Sequence, residues 1–401
     1  MLRQEGAPKT GLLPPRTAAL LVLLTGNALT EIGISFLLPI LPLFLKHRGA
    51  TPLLVGGIFA AGSAARAASQ YPGGWLADRL GRKPVLVGSM LGYSVIFLGY
   101  LLPVPVAALV GVRIAHAFVG GLYMPAAAAM LADITPPNRR GEAYAMLRAT
   151  DMTGLLAGPI LGGLVANIRL DGIFVGGGAI CLAGAASLAL LPKVKAQVSA
   201  EVPAPILSAR VLRPLLPVAL LGGAMFYVFG NYDATWSLYI SSRGATPFAV
   251  GLSFAVYALP VLLFGGFGGR AVDRLGARRA GTLAVVTFGL LAAVYPLIAS
   301  VPALILIGFG EGALTAAGQP ALQAQVSRIA PPGQQGRVQG IYQTALIGAQ
   351  VLGSLLGGGL YSIRPAYGFW GSTAVSLIMV AVAMAVWTER GSRRAIARGR
   401  P

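Results

Sequence analysis

The sequence predicts an all-α, polytopic membrane protein with twelve transmembrane helices in two pseudo-symmetric six-helix bundles. Three observations lead there. Of 401 residues, 56% are apolar and only 11% charged, where a soluble domain needs far more charge. Apolar runs of roughly 20 residues, the length that crosses a hydrocarbon core, follow one another from Thr17 to Trp387. The chain also repeats itself at an offset of 195 positions: Gly74, Asp78, Arg79 and Gly81 return as Gly269, Asp273, Arg274 and Gly276. Pro125, Pro136, Gly141, Gly158 and Gly162 recur as Pro320, Pro331, Gly336, Gly353 and Gly357 without a gap. A spanning sheet would need a closed barrel of short alternating strands, a pattern these long runs do not have.

The runs divide into segments at about 17–45, 52–76, 84–102, 105–132, 143–168 and 171–191 in the first half, with the bilayer thickness setting their length. The second half gives about 214–241, 247–269, 280–300, 302–327, 338–363 and 366–388. The expected organisation is a tail (1–16), a first bundle (17–191), a linker (192–213), a second bundle (214–388) and a basic tail (389–401). Both termini then fall on one side of the membrane.

The net charge of +19 raises the question of nucleic acid, and the placement of the cations answers it. Of 31 Lys and Arg, 23 fall in the tails and the loops on the same side, against five (Lys46, Arg48, Arg169, Arg243 and Arg364) in the opposite loops. That asymmetry places both termini in the cytoplasm of a cell membrane. The tail cations suit anionic lipid, so the expected partners are a small-molecule substrate and the lipid bilayer, with no nucleic acid, and the chain is expected to be a monomer. The lone Cys181 excludes an internal disulfide and a thiolate metal cluster. The first apolar run is too long for a cleaved leader and carries Glu31, so it reads as a retained helix.

Polar residues inside the runs mark the working surfaces. Segment 1 carries Asn27, Glu31 and Ser35 at i, i+4, i+8, one polar stripe that should face protein or water rather than lipid. Pro39 and Pro42 permit a bend near its end. Segment 2 carries Arg66, and segment 4 carries Arg113 and His116 one turn apart. Segment 5 opens with Arg148 and Asp151, able to pair at i, i+3, and then reads Gly154, Gly158, Pro159, Gly162, Gly163. Small residues at that spacing let another backbone approach closely. In segment 7, Asn231, Asp233 and Trp236 give a polar and aromatic side; segment 10 has Glu311, Thr315, Gln319 and Gln323 four apart, and segment 11 adds Gln343 and Gln350. These stripes are expected to wall a central cavity.

An ionised side chain at mid-bilayer costs roughly 3 kcal/mol, so Glu31 needs a partner, a wet cavity or a proton. The functional reading has Glu31 exchanging a proton, with Arg113 in the same relay; the structural alternative is a permanent ion pair with Arg113 or Arg66. Asp233 and Glu311 are candidates for contact with a cation or a second proton. A membrane potential of roughly 150 mV supplies about 3.5 kcal/mol per charge moved, enough for a gradient of roughly two to three powers of ten. Phosphate-loop and His-Glu-x-x-His patterns are absent from the sequence, so neither ATP hydrolysis nor a metalloenzyme is expected. Protons are the one coupling ion expected, with no cofactor and no metal.

The loop Gly74, Asp78, Arg79, Gly81, Arg82, Lys83 satisfies in full the Gly-x-x-x-Asp-Arg/Lys-x-Gly-Arg-Arg/Lys signature of the major facilitator superfamily, which the whole chain resembles. Arg113 fits that family's Arg-x-x-Gln-Gly pattern, while His116 and Ala117 depart from it. The segment 5 glycines resemble the motif of its twelve-helix drug/proton antiporters. The resemblance implies alternating access and export of small amphipathic or drug-like compounds, that is, multidrug efflux. It further implies that Asp78 latches onto the start of segment 11 and Arg82 pairs with Asp133 when the cytoplasmic side is closed, with Asp273 and Arg274 as the repeat's equivalents. A sugar, organic-acid or other metabolite carrier, or a lipid translocator, is the alternative.

Overall fold

The computed structural model describes residues 15–136, 139–192, 209–331 and 334–397. The described residues form helices and connecting turns, with no strand among them. In the first half these are α1 (Pro15–Leu37), α2 (Leu41–His47), α3 (Pro52–Leu80), α4 (Arg82–Gly99), α5 (Leu109–Ile134), α6 (Arg140–Ile168) and α7 (Gly172–Leu188). The second half has α8 (Ala209–Ser242), α9 (Pro247–Leu275), α10 (Ala277–Val294), α11 (Val301–Ile329), α12 (Gln335–Ile363) and α13 (Pro365–Ala397). Helices α8 and α13 reach into the stretches expected as linker and tail. Among the described residues nine helical spans are long and apolar enough to cross a bilayer, and α7 is a shorter apolar helix. Twelve crossings are obtained by counting α7 with α3 and α4; Arg66, Ser69 and Gln70 interrupt the apolar run of α3.

The repeat is preserved element by element. Helices α3, α4 and α6 begin and end 195 positions before α9, α10 and α12. The same residues stop and start them. Thr51 Oγ1 accepts from Leu54 N at 3.3 Å and Thr246 Oγ1 from Ala249 N at 3.2 Å, each followed by a proline in the first turn, where a missing N–H costs nothing. The positive-φ glycines also come as repeat pairs, Gly49 with Gly244 (88° and 93°) and Gly81 with Gly276 (93° and 78°). The halves differ where their sequences do. Pro39 and Pro42 accompany the turn between α1 and α2, whereas Ala234 and Ser237 hold those places in the unbroken α8.

Call the end where α1 starts and α3 finishes the termini end, and the other the distal end. At the distal end the halves meet backbone to backbone. Gly56 lies against the carbonyl of Ser354 and Gly251 against that of Pro159. A Cβ on Gly163 would stand 2.7 Å from Pro247 O, and one on Gly358 2.6 Å from Pro52 O. Leu53 N donates to Ser362 Oγ at 2.9 Å across the same seam. The apolar core repeats this asymmetry: one buried cluster joins Leu37, Phe44 and Phe59 to Trp236, Tyr239 and Phe369 of the other half. The cluster toward the termini end, built on Leu215, Met225, Leu322 and Tyr342, draws its buried members from the second half alone. The distal end is therefore closed.

Candidate functional site

Beneath the distal seam a cavity of about 340 Å³ lies between the halves. The first half contributes Leu38 from the turn after α1 and Met152 and Leu155 from α6; the second contributes the rest, on α8, α9, α11 and α12, with Tyr295 beyond the end of α10. Its polar groups are Asp233, Ser253, Glu311, Thr315, Gln319 and Gln350, set among Phe229, Tyr232, Trp236, Phe254, Tyr257 and Tyr295.

Glu311 is the most fully bonded of these. It is 2% exposed, and Tyr232 donates to Oε1 at 2.9 Å while Tyr295 donates to Oε2 at 2.8 Å. Tyr239 OH donates to the Tyr295 carbonyl at 2.8 Å, which fixes that ring's mounting. One turn on, Thr315 Oγ1 donates to the Glu311 carbonyl and accepts from Tyr257 OH, both at 2.9 Å. Trp236 Nε1 donates to Ser253 Oγ at 2.9 Å, and its ring meets Tyr295 edge-on at 4.8 Å. Asp233 Oδ2 accepts from Gln350 Nε2 at 2.8 Å. Among the described residues neither Glu311 nor Asp233 has a cation within ion-pair distance. Two carboxylates walled by aromatic rings form a pocket chemically suited to a compact organic cation.

Other expected cavity residues lie elsewhere. Asn27 is buried between α1 and α6, donating to Thr150 Oγ1 at 2.9 Å and Asp151 Oδ1 at 2.8 Å. Ser35 is buried where Gly158 closes on α1. Asn231 accepts from Thr235 and backs onto Gly357. A polar stripe in a spanning helix can satisfy itself against protein rather than water: Asn27 does so against α6, whereas Asn231 bonds along its own helix, to Thr235. Gln343 lines a separate pocket of about 50 Å³ that shares Gln319 with the main cavity.

The glycine motif of α6 explains where Glu31 sits. A Cβ on Gly154 would lie 2.6 Å from Glu31 C, and Gly158 and Gly162 take the same position against Ile32 and Phe36. These glycines seat α6 on α1, while Pro159 and Gly163 meet α9 across the seam. Glu31 is half-buried at this junction and does not line the cavity. The charged groups acting on it are Arg66 of α3, then Asp151 and Arg148 of α6. Arg113 is not in that set. It is buried, its guanidinium 5.1 Å from the Phe59 ring centroid and its Nη1 3.4 Å from His116 Nδ1. His116 is in turn boxed by the edges of Tyr93, Phe97 and Tyr100. Among the described residues no ion pair joins Glu31 to Arg113 or Arg66, so the permanent pair considered from sequence is not made here.

At the termini end Gly81 turns α3 into α4. Arg82, buried, donates from Nε to Asp133 Oδ2 at 3.0 Å and from Nη1 to the Ala77 carbonyl at 2.8 Å, and it pairs with Asp78 at 2.9 Å. Arg79 lies over Trp75 at 4.3 Å, and Gly74 touches Pro125 of α5. The polar contacts described for Asp78 stay in its own half. Arg82 and Asp133 both belong to the first half, so their pair does not itself bridge the halves. The side chains of Asp273 and Arg274 lie outside the described residues.

Sequence reasoning passed over Tyr232, Tyr257 and Tyr295. Their signal was present: Tyr295 repeats Tyr100, and Glu311 repeats His116, at the same offset of 195. A titratable group facing a tyrosine in both halves was readable as a pair.

A two-fold repeat of spanning helices with a pocket at its interface is the architecture of a membrane transporter. The family model for the Major Facilitator Superfamily matches residues 23–241 and 218–401, and the chain belongs to that superfamily. It is similar to multidrug resistance protein 2 of Bacillus subtilis (27% identity, 92% of this chain, 95% of the relative). It is also similar to the class E tetracycline resistance protein of Escherichia coli (29%, 83% and 85%). Among solved structures it resembles the nucleoside transporter NupG (TM-score 0.75, 12% identity, 94% of this chain and 99% of that one). An inward-facing bacterial homolog of the lysosomal transporter Spinster gives a TM-score of 0.75 at 15% identity over 94% and 97%. At those identities the structures speak for the fold.

Proposed function

We propose that the chain exports small amphipathic, preferentially cationic, drug-like compounds in exchange for protons, by alternating access. The observation that carries this reading is the aromatic cavity of about 340 Å³ with Asp233 and Glu311 in its wall. Its volume is in the range of small-molecule sites, and its two acids suit a positive ligand. The names of the multidrug and tetracycline resistance relatives support drug export. For the proton we retain Glu31, an acid inside a spanning helix with no ion-pair partner among the described residues, where ionisable groups are expected to be functional.

The charge asymmetry of the loops supports a cell-membrane orientation with both termini cytoplasmic; the closed distal end would then be external and the state inward-facing. Substrate on the second half and proton on the first would be coupled through the packed seam. Inverted membrane vesicles carrying the protein and energised with a proton gradient test this: ethidium should accumulate with wild type and not with Glu31→Gln. Undiminished accumulation by Glu31→Gln removes the proton assignment.

A further inference from the structure

The small pocket that shares Gln319 with the main cavity lies between α8, α11 and α12, holds about 50 Å³ and has no charged side chain in its wall. At the offset of 195 its lining corresponds to the polar junction of the first half. Gly222 stands for Asn27, Phe226 for Glu31, Gln343 for Arg148 and Leu346 for Asp151. In the first half these side chains fill the junction of α1 and α6, Asn27 donating to Asp151 at 2.8 Å and Arg148 pairing with it at 3.2 Å. In the second half a glycine, a phenyl ring, an amide and a leucine hold the same places, and a space is left beside them.

The polar groups around that space have no partners of their own. Among the described residues the side chains of Gln319, Gln323, Gln343 and Tyr342 make no hydrogen bond, and none of their polar atoms is sealed from solvent. Tyr342 is 2% exposed, and its hydroxyl reaches the place that a Cβ on Gly222 would take. A buried hydroxyl without a partner is costly unless something from outside meets it. The space is large enough for a few waters, and a ligand group that displaces them must replace their hydrogen bonds. The pocket also adjoins the main cavity through aromatic contact, Phe226 meeting Phe229 edge-on at 5.5 Å.

Glu311 and Gln319 both line the main cavity, two turns apart on α11, which is about 12 Å along the axis. We propose that the small pocket is a second subsite for the ligand and takes an uncharged hydrogen-bonding group, so that the favoured substrate is an organic cation carrying an amide or hydroxyl on an arm of about that span. Glutamine amides and a tyrosine hydroxyl offer both donors and acceptors to such a group. A second charge would find no counterion in this wall. This rests on the reading of Glu311 as the cation site and names the class of cation it serves.

Isothermal titration calorimetry of the full chain in detergent compares two phenanthridinium cations whose alkyl arm, long enough for that span, ends in a primary carboxamide or in an isopropyl group of the same shape. Wild type should bind the carboxamide about tenfold tighter, the yield of one or two neutral hydrogen bonds. Gln343→Leu should abolish that preference and Tyr342→Phe should reduce it, with ethidium still bound by both variants. Equal affinity for the two arms in wild type, or a preference that both variants keep, overturns the subsite and leaves the cation site standing. If wild type binds neither cation nor ethidium, the reading of Glu311 falls and the subsite with it. Ethidium binding shows that a variant is folded; should Gln343→Leu lose it, Tyr342→Phe, which gives up no hydrogen bond among the described residues, decides alone.

Discussion

Replacing Glu311 by Gln should weaken the binding of a cation and spare an uncharged ligand of the same shape. The amide keeps the volume of the side chain and one oxygen for the tyrosine hydroxyls now held at 2.9 and 2.8 Å, so the pocket should keep its form. What is lost is the charge. At about 5 Å and an effective dielectric near 20, opposite unit charges attract by roughly 3 kcal/mol. Allowing up to a halving of this for a pocket open to the groove gives about 1.5–3 kcal/mol, or roughly 10- to 100-fold in Kd. Trp236 in the cavity wall supplies the assay through quenching of its fluorescence by ethidium, with Trp236→Phe as the blank and uncharged phenanthridine as the matched ligand. Equal ethidium affinity in wild type and Glu311→Gln, or equal loss for both ligands, would refute the assignment of charge recognition to this acid.

Three further outcomes are expected. Tyr295→Phe removes one neutral donor from Glu311 and should cost roughly 1 kcal/mol, near fivefold in ethidium Kd, read in the same titration. Gly251→Val places a branched side chain on the Pro159 carbonyl and should part the distal seam, seen as a longer Lys46 to Leu297 spin-label distance; an unchanged distance would mean that α9 and α6 yield without separating. Arg82→Gln removes the Asp133 pair and the bond to the Ala77 carbonyl from a buried site and should lower stability by about 1–3 kcal/mol, measured as a drop in Tm in detergent. Were Tm unchanged, the pair would be a surface contact of no consequence.

The fold was largely legible because membrane helices advertise themselves twice, by length of apolar run and by repeat. The bounds of α3 and α9, or of α6 and α12, follow from Pro52 and Pro247 or from Arg169 and Arg364 at matching positions. Legibility fell at the site, where helical spacing tells which residues share a face and not what that face meets. Asn27 and Glu31 lie on one stripe, yet Asn27 is consumed by Thr150 and Asp151 while Glu31 is left without an ion pair among the described residues. Asp233 and Asn231 are two residues apart, and only Asp233 reaches the cavity. Arg113 carries a family motif and is buried against the Phe59 ring, whereas Arg66, which carries none, is exposed. Those differences are set by helix rotation against neighbours distant in sequence, information that one helix does not contain.

The proposed exchange of a proton for an organic cation is the step from which the rest follows. Purified protein in liposomes containing a trapped pH-sensitive dye, given an inward ethidium gradient and no initial pH difference, should make the lumen more alkaline as the cation enters and protons leave. Glu31→Gln should leave the dye unchanged. Entry of ethidium with a steady lumenal pH, or with acidification, would contradict antiport.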